Sequence, residues 1–214
     1  IRLVLPELLY MLKDSGTEIL LVDKAFHAMA PAFRGTLTTV KHVIFADTGL
    51  TPEGTVNYEA SLATVHAVPD AERGGDHVAG IFYTGGTTGL AKGVMLTHDN
   101  IVSNALNVLA SLATTGERWV YLHAAPMFHI ADCSTSCNLT LMASTHVFIP
   151  KFDVAAMLTT IQAHGITDTF LVPTMVKQLI DHPDFSKHDL SSLQNVSYGG
   201  AAMPFPVVRR AIEL

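Results

Sequence analysis

Residues 83–93 read Tyr83-Thr84-Gly85-Gly86-Thr87-Thr88-Gly89-Leu90-Ala91-Lys92-Gly93, a glycine- and threonine-rich loop entered from an apolar run and left through a lysine. Gly85, Gly86 and Gly89 lack a Cβ, so the backbone there can take positive φ and bring its N–H groups close to an anion. Thr84, Thr87 and Thr88 add hydroxyl donors. Lys92 adds a mobile positive charge, and charge-assisted bonds to phosphate oxygens are stronger than neutral ones. The stretch therefore reads as a phosphate cradle with ATP as its first candidate ligand. Gly93 then lets the chain turn into a second strand, Val94 to Thr97.

Two familiar phosphate motifs fail on residue order. A Walker loop places Gly, Lys and then Ser or Thr at the entrance of a helix, whereas Lys92 here precedes Gly93, which disfavours a P-loop kinase. The dinucleotide fingerprint needs another glycine spacing than Gly86, Gly89 and Gly93 offer, which disfavours a Rossmann oxidoreductase.

The loop resembles the signature of the adenylate-forming enzymes, the superfamily of acyl-CoA synthetases, firefly luciferase and peptide-synthetase adenylation domains. Its pattern is an aromatic residue, Thr, a small residue, Gly, Thr, Thr, Gly, any residue, usually Pro, then Lys and Gly. Gly85 stands where many members have Ser, and Ala91 where most have Pro. The following LTHDN, ending at Asn100, also matches. So do APMFHIAD, Ala125 to Asp132, and YGGAAMP, Tyr198 to Pro204, in the family's order. The resemblance covers essentially the whole chain and is nearest to bacterial fatty acyl-CoA synthetases. It implies an α/β fold, parallel sheets covered by helices, forming part of an acyl-CoA synthetase-like N-terminal domain.

Periodicity agrees with that class. Leu5, Leu8, Leu9 and Leu12 recur at helical spacing after Pro6, and Gly16 stops the helix before the apolar run Ile19 to Val22. Further strands are expected at His42 to Ala46, Val78 to Thr84, Trp119 to Ala124, Thr145 to Ile149, Thr167 to Val172 and Val196 to Tyr198. Helical patterns separate most of them, as in Ile101, Ala105, Leu106, Leu109 and Leu112 after a capping Thr97. Alternation of this kind predicts parallel sheets with ligands at the carboxyl ends of strands. Thr48 to Asn57 and Pro69 to Asp76 read as surface loops, the second as a possible boundary between two sheets.

At 214 residues and 49% hydrophobic content the chain can bury a sizeable core. Its apolar runs fall short of the roughly 18 residues needed to cross a bilayer. A net charge of −6 and a pI near 6.0, without a basic cluster, argue against a nucleic-acid surface. Cys133 and Cys137 are too few for a disulfide framework, and no secretory signal opens the chain, so a reducing cytoplasm is the expected setting. Oligomeric state is not legible.

The resemblance also implies site residues. Thr84, Gly85, Gly86, Thr87, Thr88, Gly89 and Lys92 would hold the β and γ phosphates of ATP, with Thr84 near a Mg²⁺ ion. Gly199, Gly200 and Ala201 would lie against the adenylate, and His129 would face the carboxylate. In the family reaction a carboxylate attacks the α-phosphate, pyrophosphate leaves, and CoA captures the acyl group. Phosphoryl-type chemistry rests on positioning and charge stabilisation, and the attacking carboxylate is already ionised near neutral pH. Both ends are expected to be cuts: Ile1 is no initiator, and Leu214 falls within an expected helix, Pro206 to Leu214. The family's metal-binding glutamate and catalytic lysine would follow Leu214, so no catalytic residue is assigned and the piece alone is expected to lack full turnover.

His129, Cys133 and Cys137 stand four apart and would share a helix face, which could suggest zinc. A fourth ligand is missing, and the preferred reading places Cys133 against an acyl tunnel. The other histidines and the Met and Phe residues carry no functional pattern. The favoured function is activation of a fatty or other apolar carboxylic acid. Its rivals are an aryl-CoA ligase or amino-acid adenylating domain, a noncatalytic nucleotide-binding module, and a kinase releasing ADP rather than AMP.

Overall fold

The computed structural model describes residues 3–85, 89–111 and 118–214. They fall into two compact units, residues 1–98 and 99–214.

In the first unit α1 (Leu5–Asp14) opens with Pro6 in its first turn, and the Val4 N–H donates to the Glu7 carboxylate at 2.9 Å. A proline costs nothing at a helix start, where its missing N–H would have had no partner. The leucine stripe predicted from spacing faces inward: Leu5, Leu8, Leu9 and Leu12 pack on a core of Val22, Ala30, Phe33, Leu37, Val43 and Phe45. That core lies between α1, α2 (Ala30–Thr36) and a three-stranded parallel sheet of β1 (Ile19–Val22), β2 (His42–Phe45) and β3 (Val56–Asn57), in which Ile19 pairs with His42 and Ile44 with Val56. A short α3 (Tyr58–Leu62) follows, its start capped by Asn57, whose side chain accepts the Ala60 N–H at 2.8 Å.

β4 (Val78–Thr84) and β5 (Lys92–Thr97) form an antiparallel hairpin with Tyr83 opposite Gly93 and Thr84 opposite Lys92. The glycine loop thus joins strand to strand. It sits at the carboxyl end of β4, and the element that follows it is a strand, not a helix. Pro69 to Asp76 lies in this unit, immediately before the hairpin.

α4 (His98–Ser111) follows; Leu112, the last residue of its apolar periodicity, lies outside the described residues. The second unit carries a four-stranded parallel sheet ordered β7-β6-β8-β9: β6 (Val120–His123), β7 (Thr145–Phe148), β8 (Asp168–Leu171) and β9 (Asn195–Tyr198). α5 (Ile130–Leu141) links β6 to β7, and α6 (Val154–His164) carries the chain back past β6 to β8. The Asp153 carboxylate caps α6 by accepting the Ala156 N–H at 2.8 Å. Leu122, Met157, Leu158, Ile161, Ile166 and Leu171 are fully buried on one face of the sheet, with Val176 and Leu179 of α7 (Pro173–Ile180) beside them. α8 (Phe205–Glu213) completes the unit. Because β7 and β8 flank β6 on opposite sides, the strand order reverses there, the place where open α/β sheets hold ligands at their carboxyl ends. No helix among the described residues is long and apolar enough to cross a membrane.

Candidate functional site

In the first unit, helix α1 grips both ends of the glycine loop. The Tyr83 hydroxyl is directed between the Asp14 carboxylate, 2.7 Å away, and the Met11 carbonyl at 3.1 Å. The Tyr10 hydroxyl donates to the Ala91 carbonyl at 3.1 Å. Desolvation, then the hydrogen bond to Asp14 and that carboxylate's charge, push the Tyr83 phenol up to about 12, so it remains a donor at neutral pH. Gly93 is required by close approach: a Cβ there would lie 2.7 Å from Ile81 Cγ2 and 3.2 Å from the Tyr83 ring. Replacing Tyr83 by Phe should cost about 1 kcal/mol in urea unfolding, the net worth of one such hydrogen bond; a change near zero would show that the clamp is idle.

Thr84 and Lys92 end the two strands face to face, and the Thr84 hydroxyl makes a long 3.4 Å contact with the Lys92 carbonyl. Gly85 and Gly89 flank the loop's tip, and Gly89 takes positive φ, 155°. Gly86, Thr87 and Thr88 lie outside the described residues. Lys92 takes part in none of the ion pairs among the described residues.

The described residues contain no group of three or more His, Cys, Asp or Glu side chains able to hold a metal ion. Magnesium takes one or two carboxylates together with substrate phosphates and water. At this loop the chain offers a threonine hydroxyl, and the nearby Asp14 carboxylate is engaged by Tyr83. The described residues of the loop do not by themselves hold a Mg²⁺ ion.

In the second unit β6 runs into the turn 124–129, and His129 is the N-cap of α5. Its Nδ1 accepts the Ala131 N–H at 3.3 Å. An accepting ring nitrogen carries no proton, so a neutral ring held this way would carry its proton on Nε2, where it could donate to an anionic oxygen. The backbone holds this turn through His129 N–H to Pro126 O at 3.0 Å and Cys133 N–H to His129 O at 3.1 Å. Met127, Phe128 and Ile130, its neighbours in sequence, are exposed apolar side chains.

Cys133 and Cys137 are half-buried free thiols one turn apart on α5. Burial first, then Cys137 and the Asp132 charge, push the Cys133 thiol up. A protonated thiol is a small apolar wall; thiolate would be needed for metal binding or attack. Gly199, Gly200 and Ala201 follow β9 at the same carboxyl edge of the sheet as the His129 turn. Gly200 is left-handed, φ 79°, and a Cβ on Gly199 would sit 3.2 Å from the Phe170 ring of β8. The bare backbone of this segment is what the site presents.

One constellation escaped sequence reading. The His123 Nδ1 lies 2.8 Å from the Asp132 carboxylate, and its Nε2 lies 3.0 Å from Nδ1 of His146. The Tyr121 hydroxyl adds a long 3.4 Å contact to the same carboxylate, and Phe148 stacks on His123 with centroids 4.5 Å apart. Asp132 and His123 are 1% and 3% exposed. The available signal was an aspartate in the first turn of α5, which nothing in the sequence marks as buried.

Over residues 1–214 the chain matches the family of AMP-binding enzymes, and it belongs to that family. It is 33% identical over 214 residues to a feruloyl-CoA synthase of Amycolatopsis sp, covering 99% of this chain and 40% of the relative. To the long-chain-fatty-acid–CoA ligase of Thermus thermophilus it is 32% identical over 212 residues, covering 98% and 38%. Among solved structures, the inhibitor-bound N-terminal domain of FACL13 from Mycobacterium tuberculosis superposes with a TM-score of 0.84 at 28% identity, covering 99% of this chain and 52% of that one. The fold is that of the N-terminal domains of acyl-CoA synthetase-like enzymes. The chain spans about two fifths of the length of the curated relatives it matches.

Proposed function

We propose that this chain is part of the AMP-binding N-terminal domain of an ATP-dependent acid–thiol ligase. The whole protein would convert an apolar carboxylic acid, favoured as a fatty acid, to its acyl adenylate and then to a CoA thioester. The observation that carries the reading is His129: an exposed N-cap imidazole whose Nδ1 is taken by the Ala131 N–H, leaving Nε2 for a ligand, with exposed Met127, Phe128 and Ile130 beside it in sequence at the carboxyl edge of a sheet. A neutral ring so held would donate from Nε2 to a carboxylate oxygen, and the apolar neighbours suit the tail behind it. Gly199, Gly200 and Ala201 offer backbone to the adenylate, while Thr84 to Gly89 and Lys92 take the β and γ phosphates of ATP supplied as its magnesium complex. Free thiols suit a reducing cytoplasm.

An aryl acid is the second reading, favoured by similarity to the feruloyl-CoA synthase and to an indoleacetate–CoA ligase of Aromatoleum aromaticum, 34% identical over 211 residues. Acid-dependent ATP–pyrophosphate exchange by the full-length protein, run with fatty, aryl and amino acids, separates them. Fatty acids should give the fastest exchange, and AMP should be released once CoA is added. Faster aryl exchange would move the assignment to that class, and release of ADP would overturn adenylation. Because Cys133 is read as a tunnel wall, Cys133→Trp should shift preference toward shorter acids in the same assay; an unchanged profile would remove Cys133 from the pocket.

A further inference from the structure

The turn carrying His129 is braced at its base by a chain of three side chains that nothing in the proposed chemistry uses. His123 closes β6, Asp132 lies in the first turn of α5, and the salt bridge between them, 2.8 Å long with both side chains 1% exposed, spans the turn from below. Aspartate in a first helical turn ordinarily serves the helix's own N–H groups. Here one carboxylate oxygen reaches away from the helix to the strand, tying the start of α5 to the end of β6. From β7, half-buried His146 occupies the other ring nitrogen of His123 at 3.0 Å, and its ring lies nearly parallel, 6° between planes.

We propose that Asp132, His123 and His146 are positioning residues: a hydrogen-bonded brace that fixes the turn 124–131, and so the aim of His129, and that is released when the outer imidazole takes up a proton. The inference rests on reading His129 as a substrate contact. Hydrogen-bond counting supplies its logic. The contact between His123 Nε2 and His146 Nδ1 needs one proton between two nitrogens; where His123 holds a proton on each nitrogen, its Nε2–H is that donor, and a proton on His146 Nδ1 ends the bond. The groups facing this pair are Tyr121 from β6, Asp132 from α5 with Cys133 in its field, and Phe148 from β7. Burial, then the neighbouring His123, hold His146 below the ordinary imidazole range, with Asp132 opposing them. A lowered value means that the brace is intact above the ordinary imidazole pKa and is lost as pH falls through the depressed one.

Two measurements test this. In this chain, ¹⁵N NMR should find both ring nitrogens of His123 protonated, and the amides of residues 127–132 should titrate together with His146 below the ordinary value of about 6.5; His123 protonated at Nδ1 alone would overturn the release. His146→Gln should abolish that response and leave the amides of α6 unchanged. A turn that ignores His146, or responds equally in the variant, overturns the brace. In the full-length protein, Asp132→Asn should raise the acid's KM about 10-fold or more, since a small misplacement of a contact is costly, with the KM for ATP within about 2-fold. His146→Gln should remove the acid limb from the kcat/KM profile. His129→Ala separates the two claims. If it changes nothing, the substrate reading fails while the NMR brace stands; if it matters and the brace variants do not, positioning fails.

Discussion

Replacing His123 by Ala should destabilise the second unit by about 3–5 kcal/mol, the cost of leaving one partner of a buried ion pair uncompensated. Asp132 would keep only the long Tyr121 contact at an accessibility of 1%, and a carboxylate removed from water needs a partner far more than a hydroxyl does. Phe148 and His146 would lose the ring on which both stack. The chain's single tryptophan, Trp119, immediately precedes β6, and its carbonyl accepts the Thr145 N–H at 2.8 Å. Its fluorescence in urea therefore reports on this sheet. The double replacement His123→Leu with Asp132→Leu should recover most of the loss, because apolar groups of similar volume are often neutral where a broken pair is not. A single-variant loss under about 1 kcal/mol, or a double variant as unstable as the single, would show that the pair is not what ties α5 to β6.

The strands were legible because each is a short apolar run between turn residues. Ile19–Val22 and Val78–Thr84 carry the expected limits, and the leucine stripe of α1 faces the core as its spacing requires. β3 was not legible: two residues, Val56 and Asn57, at the end of a turn-rich segment carry no periodicity, and their pairing with β2 is made by tertiary structure. Alternation predicted parallel sheets and found two, but the loop's own strands pair antiparallel, because a tight glycine connection leaves no room for a crossover helix. At the site, the His129 turn and the Gly199 segment could be placed by their motifs, whereas the brace could not. Its members come from two strands and a helix, and only the register of Tyr121 with His146 and of His123 with Phe148 brings them together.

Lys92→Ala should lower kcat/KM for ATP in the full-length protein about 10²- to 10³-fold, the scale of removing one preorganised donor from developing charge, while leaving folding within about 0.5 kcal/mol. The fold effect is small because Lys92 is exposed and in no ion pair among the described residues. The kinetic effect is large because the backbone leading to it is fixed: Tyr10 holds the Ala91 carbonyl, Gly93 fits against Ile81 and Tyr83, and Thr84 stands opposite. Fixing the backbone limits the volume that this flexible side chain samples, and its ammonium is the one full positive charge the Tyr83–Gly93 stretch supplies. Lys92→Arg should restore only part of the loss, because a planar fork does not reproduce a compact point charge. ATP–pyrophosphate exchange beside urea midpoints reads both quantities, and an Ala variant within about 3-fold of the parent would move the phosphate-holding role off Lys92 and onto the loop's amides and hydroxyls.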